Sequence, residues 1–146
     1  MTDITIRFVE EKDYQQWVEV YKGYISFYQR DFDEKKVATV WQWIKDKKMF
    51  ALVAELDGKL VGLAHYREML SPLNGFTVGF LDDLFVDPAC RGKKVVDALM
   101  QALKQQAQQN GWPFIRWITA ENNYRAKAFY DRIANKTAWN TYQMDC

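Results

Sequence analysis

Apolar and polar positions first alternate at Ile4, Ile6 and Phe8, with Thr5 and Arg7 between them, which predicts a short opening strand. From about Asp13 the period lengthens. Tyr14, Trp17, Val18, Tyr21, Ile25 and Tyr28 fall on one face of a helix. Asp33 is placed to cap a second helix, whose Val37, Val40, Trp41 and Ile44 face inward. Phe50 to Leu56 and Lys59 to Tyr66 read as strands, joined by the two-residue hairpin turn Asp57-Gly58. Ser71 to Gly75, with its proline and Asn-Gly pair, reads as a loop. Phe76 to Val86 is rich in β-branched and aromatic residues and predicts a fourth strand, punctuated by Pro88. Helical spacing returns with Val95, Leu99, Leu103 and Ala107, and Asn110-Gly111 ends that helix. Phe114 to Thr119 predicts a fifth strand. Asn123 opens a further helix with Ala126, Phe129, Tyr130 and Ile133 inward. Thr137 to Met144 predicts a last strand, anchored by Trp139 with Tyr142 on the opposite face.

The order β-α-α-β-β-β-α-β-α-β implies an α/β (α+β) fold. Its central sheet is mixed and mostly antiparallel, with helices on both faces. At 146 residues, with no internal repeat or linker, the chain reads as one domain spanning 1–146. Although 49% of residues are hydrophobic, no run approaches the ~18 apolar residues of a membrane span. The amino terminus carries no basic-then-apolar leader, so a cytoplasmic setting is the default. A net charge of +1, from 20 basic and 19 acidic residues, argues against a nucleic-acid partner. The two cysteines, Cys90 and Cys146, are too few for a disulfide framework. With the single histidine, His65, they give no metal-binding cluster, and no metal is expected. Cys90 reads as an inert small residue, because a nucleophile needs a base and His65 lies on an earlier strand. His65 itself reads as a packing residue.

Two features carry candidate chemistry. The first is the basic turn Arg91-Gly92-Lys93-Lys94, set between a strand and a helix. A helix start presents backbone N–H groups and the positive end of its dipole, a natural cradle for phosphate, and the neighbouring cations strengthen it. The competing reading, a basic helix start on a solvated surface, is disfavoured by that same dipole. Neither a Walker Gly-Lys-Ser/Thr nor a Gly-x-Gly-x-x-Gly pattern is present. The second is the adjacent pair Asp82 and Asp83. On a regular strand they point to opposite faces, so one of them is buried or lines a cavity. A carboxylate there is costly unless it is paired or functional, and a structural salt bridge is the alternative.

The run Leu84-Phe85-Val86-Asp87-Pro88, followed by Arg91-Gly92-Lys93-Lys94-Val95-Val96, resembles the acyl-CoA signature of the GNAT superfamily of N-acetyltransferases. Lys94 and Val96 stand where that signature has Gly and Gly/Ala. Asn123-Tyr124-Arg125-Ala126-Lys127-Ala128-Phe129-Tyr130 resembles its second signature, Asn-x-x-Ala-x-x-Phe-Tyr. The Leu-Asp-Asp-Leu-Phe-Val stretch looks most like the polyamine and diamine acetyltransferase branch. This resemblance implies a GNAT fold and acetyl-CoA as cosubstrate. It implies that Arg91 to Val96 hold the diphosphate, and that Leu84, Phe85 and Val86 pair with the pantetheine arm between splayed fourth and fifth strands. It further places Asn123 and Ala126 beside the coenzyme arm and Tyr130 near the thioester sulfur as general acid. The acceptor amine, with a pKa of about 10.4, needs a proton acceptor, for which Asp82 is the first candidate and Asp83 the second. Tyr24, Tyr28 and Glu121 are candidate substrate contacts, and the acidic residues favour a small cationic amine. A non-catalytic acyl-CoA-binding module and an acetyltransferase acting on protein N-termini or lysines remain as alternatives. Dimerisation is common in the superfamily, so a homodimer is a candidate assembly.

Overall fold

The computed structural model describes residues 3–146. β1 (Ile4–Phe8) leads through a short 3-10 turn into α1 (Tyr14–Phe27) and α2 (Glu34–Lys45). A meander follows, of β2 (Phe50–Leu56), β3 (Lys59–Ser71) and β4 (Phe76–Val86). A second 3-10 turn, Pro88–Cys90, leads into α3 (Val95–Asn110), and β5 (Ile115–Trp117) and α4 (Tyr124–Ile133) complete the order. The sheet runs β1-β2-β3-β4-β5, antiparallel except for the parallel β4–β5 pair joined through α3.

Local chemistry sets these boundaries. Asp33 accepts hydrogen bonds from the Lys35 and Lys36 amides and starts α2, a cap worth about 1 kcal/mol. Asp57 and Gly58 both take positive φ, the backbone a two-residue hairpin turn requires. Gly111, also left-handed, ends α3. The β3–β4 hairpin turns through Ser71–Gly75, and β3 continues five residues beyond the predicted end at Tyr66 because its partner β4 is long.

Two apolar layers flank the sheet. On one face α3 buries Val95, Leu99, Leu103 and Ala107 against Leu52, Ala64 and their neighbours. Each fully buried leucine contributes about 2 kcal/mol. On the other face Trp17 of α1 and Val37 of α2 cover Val53, Leu60 and Leu63.

The predicted last strand does not form. Residues 137–144 have no regular structure, and Trp139, Tyr142 and Met144 are exposed. Their alternating pattern is local, whereas a strand needs an edge to pair with, and this segment pairs with none. The fifth strand is also shorter than Phe114 to Thr119. It pairs with β4 only at Gly79, Phe80 and Leu81, opposite Ile115, Arg116 and Trp117. Beyond Leu81, β4 runs on to Val86 with no strand of the described residues beside it on that side. The sheet therefore opens between its fourth and fifth strands, next to the start of α3.

Candidate active site

The basic turn enters α3 through left-handed backbone. Gly92 lies at φ 83°, and Lys94, the residue preceding the helix, at φ 61° and ψ 29°. Lys94 occupies the place where the resembled signature has glycine, and the structure gives the reason for that glycine: the turn needs a positive φ. No side chain caps the helix. Its first-turn amides are free of intrahelical partners by geometry, and those of Val95 and Val96 lie in that turn. Arg91, Lys93 and Lys94 are all exposed around it. Val95 sends its side chain into the core, so only its backbone faces outward. A side chain at Gly92 would meet open space, so its role is conformational, not clearance. This cradle and the unpaired edge of Leu84, Phe85 and Val86 fit the diphosphate and amide-bearing arm of acetyl-CoA.

Asp82 and Asp83 do not point to opposite faces. The β3–β4 register passes from Tyr66 opposite Leu81 to His65 opposite Asp83, which leaves Asp82 as an extra, bulged residue. A bulge bends the strand and re-aims the side chains around it. Both carboxylates consequently line one cavity of about 510 Å³, together with Tyr21, Trp43, Lys48 and Arg67. Arg67 Nε sits 3.0 Å from Asp82 Oδ2. Burial raises the Asp82 carboxyl above its ordinary value, against the opposing effect of Arg67.

Asp83 is held differently. Its Oδ2 lies 2.8 Å from His65 Nδ1 and 3.4 Å from the Tyr21 hydroxyl. Trp17 Nε1 meets the other ring nitrogen of His65 at 3.0 Å. An indole N–H can only donate, so His65 Nε2 accepts and the ring proton sits on Nδ1, aimed at Asp83. Burial alone would raise the Asp83 carboxyl. The hydrogen bond and the electrostatic attraction of His65, followed by the hydrogen bonds of Tyr24 and Tyr21, outweigh it and hold the group below the usual carboxylate range. Asp83 in turn acts on the phenols: burial first, then this carboxylate, pushes Tyr21 and Tyr24 well above their ordinary values.

Asn123 starts α4 by accepting the Ala126 amide at 3.3 Å, so it is a helix cap. Tyr130 packs edge-on against Trp117 at 5.3 Å. Burial, and then Tyr28, raises its phenol, which keeps its proton. The Tyr28 ring, just past the end of α1, lies 5.1 Å from that of Tyr24, so an aromatic row along α1 and its C-terminal cap runs from the Tyr130 side of the site to Asp83. Glu121 is exposed and does not line the acidic cavity. Its carbonyl accepts Lys127 Nζ.

Several site residues were not foreseen. Trp17 and Tyr21 read only as a core stripe. His65, read as packing, is fully buried yet bonded through both ring nitrogens. Counting back from the Ser71–Gly75 turn would have placed His65 opposite Asp82. The bulge moves it to Asp83. Arg67 and Lys48 gave no signal beyond ordinary surface charge.

The Acetyltransferase (GNAT) family model matches residues 17–135. The chain is 28% identical over 138 residues to the D-amino-acid N-acetyltransferase HPA3 of Saccharomyces cerevisiae, covering 92% of this chain and 86% of that protein. It is 31% identical over 130 residues to an uncharacterized N-acetyltransferase of Archaeoglobus fulgidus, covering 86% of this chain and 88% of that one. Its fold superimposes on the aminoglycoside N-acetyltransferase AAC(6′)-Iy solved in complex with CoA, with a TM-score of 0.85 at 18% identity, over 99% of this chain and 96% of that chain. These relatives do not single out the polyamine and diamine branch. The chain belongs to the acetyltransferase (GNAT) family and is an acetyl-CoA-dependent acyltransferase.

Proposed function

We propose that the protein passes an acetyl group directly from acetyl-CoA to a primary amine of a small acceptor, without a covalent enzyme intermediate. The amides opening α3, with Arg91, Gly92, Lys93 and Lys94, bind the diphosphate, and Leu84 to Val86 align the pantetheine arm. The acceptor nitrogen attacks the thioester carbon and the C–S bond breaks. The nitrogen loses its proton to Asp83 or Asp82, directly or through water, and the departing thiolate takes one from Tyr130. A phenol suits that last role, since its pKa of about 10 lies near that of a thiol. The observation carrying this reading is the β4 bulge, which brings two carboxylates into one aromatic-walled cavity.

The pair of aspartates supports a cationic acceptor such as a diamine or polyamine. A second reading is favoured by Arg67 and Lys48 on the same cavity wall. Their charges balance those of Asp82 and Asp83, an arrangement suited to a zwitterionic amino acid more than to a polycation. The name of the yeast relative, a D-amino-acid N-acetyltransferase, points the same way.

Thiol release measured over polyamines, diamines, D- and L-amino acids and a short peptide separates the two readings. Turnover with no amine, despite bound acetyl-CoA, overturns both. In the same assay Tyr130→Phe is expected to lower kcat by about 10²-fold or more with CoA affinity unchanged. An unchanged kcat removes Tyr130 from the reaction.

A further inference from the structure

The least expected group in the molecule is a fully buried histidine in the layer between the sheet and α1. Its neighbours on the same face of the sheet, Val53 and Leu63, are apolar, and an apolar side chain would fill the site. A buried imidazole is tolerated only when both nitrogens are bonded, and here both are, by Trp17 on one side and Asp83 on the other. Trp17 is also fully buried, and its rigid indole cannot accept a hydrogen bond. The chain of contacts therefore has one direction: Trp17 donates to His65, and His65 donates to Asp83.

The charges around Asp83 set the two carboxylates apart. From α1 it faces Tyr21 and Tyr24, from β3 His65 and Arg67, from β4 Asp82, and across the cavity Lys48. Arg67 is engaged by Asp82, through Nε to both carboxylate oxygens. Asp83 is hydrogen-bonded by His65, Tyr21 and Tyr24, and among the described residues no lysine or arginine pairs with it, so its negative charge is stabilised without a permanent cation beside it. An incoming ammonium group is the missing partner.

We propose that His65 is a positioning residue for acetyl transfer: anchored by Trp17, it fixes the Asp83 carboxylate on the cavity wall as the group that receives the acceptor's ammonium. This rests on the reading that the cavity binds the amine. The arrangement deepens that reading by separating the roles of two adjacent aspartates. Asp82, tied to Arg67, shapes the cavity mouth, while Asp83 binds the cation.

The test compares His65→Leu with His65→Asn, whose side-chain NH₂ restores a donor near the Nδ1 position. His65→Leu is expected to raise the amine KM at least tenfold and to move the acid limb of kcat/KM upward by about one pH unit. CoA affinity stays unchanged, and His65→Asn recovers most of both effects. Trp17→Phe, which removes the indole N–H together with part of the buried ring system, shifts the same parameters in the same direction by less, and it replaces His65→Leu if that variant does not fold. Carboxyl-carbon NMR titration of Asp83 gives a readout independent of turnover. If no amine is acetylated by the wild type, an upward shift of Asp83 in His65→Leu but not His65→Asn still supports the positioning role and faults only the assigned substrate. Equal behaviour of the two histidine variants, or an unmoved Asp83 titration in His65→Leu, overturns the proposal.

Discussion

Lys94 carries a cost to the fold at the turn proposed to hold the diphosphate. Its backbone is left-handed, a conformation that costs a non-glycine residue about 1 kcal/mol or more. Its ammonium stands exposed at the uncapped start of α3, where a cation is unfavourable until an anion arrives. Both penalties vanish in Lys94→Gly. That variant is expected to unfold about 3 °C higher, from a gain of about 1 kcal/mol, and to bind CoA several-fold more weakly. Thermal melts and calorimetry read the two effects separately. A destabilised variant would show that the left-handed turn is not a source of strain. The resemblance to the GNAT signature was legible at this position as a departure from glycine, but its cost was not, because sequence carries no φ.

At the scale of an element, the bulge in β4 organises the site. It falls immediately after Leu81, the last residue paired to β5. One extra residue thus does two things. It turns Asp82 and Asp83 toward one cavity, and it bends β4 where the sheet opens between β4 and β5. Deleting Asp82 leaves Tyr66 opposite Leu81 and His65 opposite Asp83, so the hairpin keeps its pairing and the protein should fold. The straightened strand is expected to extend its pairing with β5, narrow the opening and weaken CoA binding at least tenfold. A crystal structure and a CoA titration check this; retained affinity would detach the opening from the bulge. The strand, its neighbours and the two aspartates were all visible in the sequence. The bulge was not, because an alternating pattern fits the strand equally well in either register until the packing of α1 and α3 selects one.

For the whole molecule, stability depends on joining β1 to the helical layer. Arg7 grips Asp13 through two hydrogen bonds of 2.7 and 2.9 Å, at the turn that starts α1. The Arg7 hydrogen bond, opposed by burial, holds the Asp13 carboxyl below its ordinary value of 3.8. A depressed carboxyl contributes stability that is complete above its unfolded pKa and is lost as pH falls through the folded one. Asp13→Asn is therefore expected to lose about 2 kcal/mol near neutral pH, roughly 6 °C in Tm, with the difference shrinking as the pH falls below the ordinary carboxyl value of 3.8. A gap that stays constant with pH would assign the loss to packing. Among the described residues no helix is long and apolar enough to cross a membrane.

By itself the sequence determined the order of elements as far as α4, the faces that make the two cores, the helix caps at Asp33 and Asn123, and both family signatures. These are encoded in short-range periodicity and in residues that bond their own neighbours in the chain. Tertiary structure decided the rest. It selected the register that makes Asp83 rather than Asp82 the partner of His65. It set the opening beyond Leu81, and it withheld a strand from residues 137–144. Each of these depends on which backbone lies alongside, and a pairing partner many residues away leaves no mark on the local pattern.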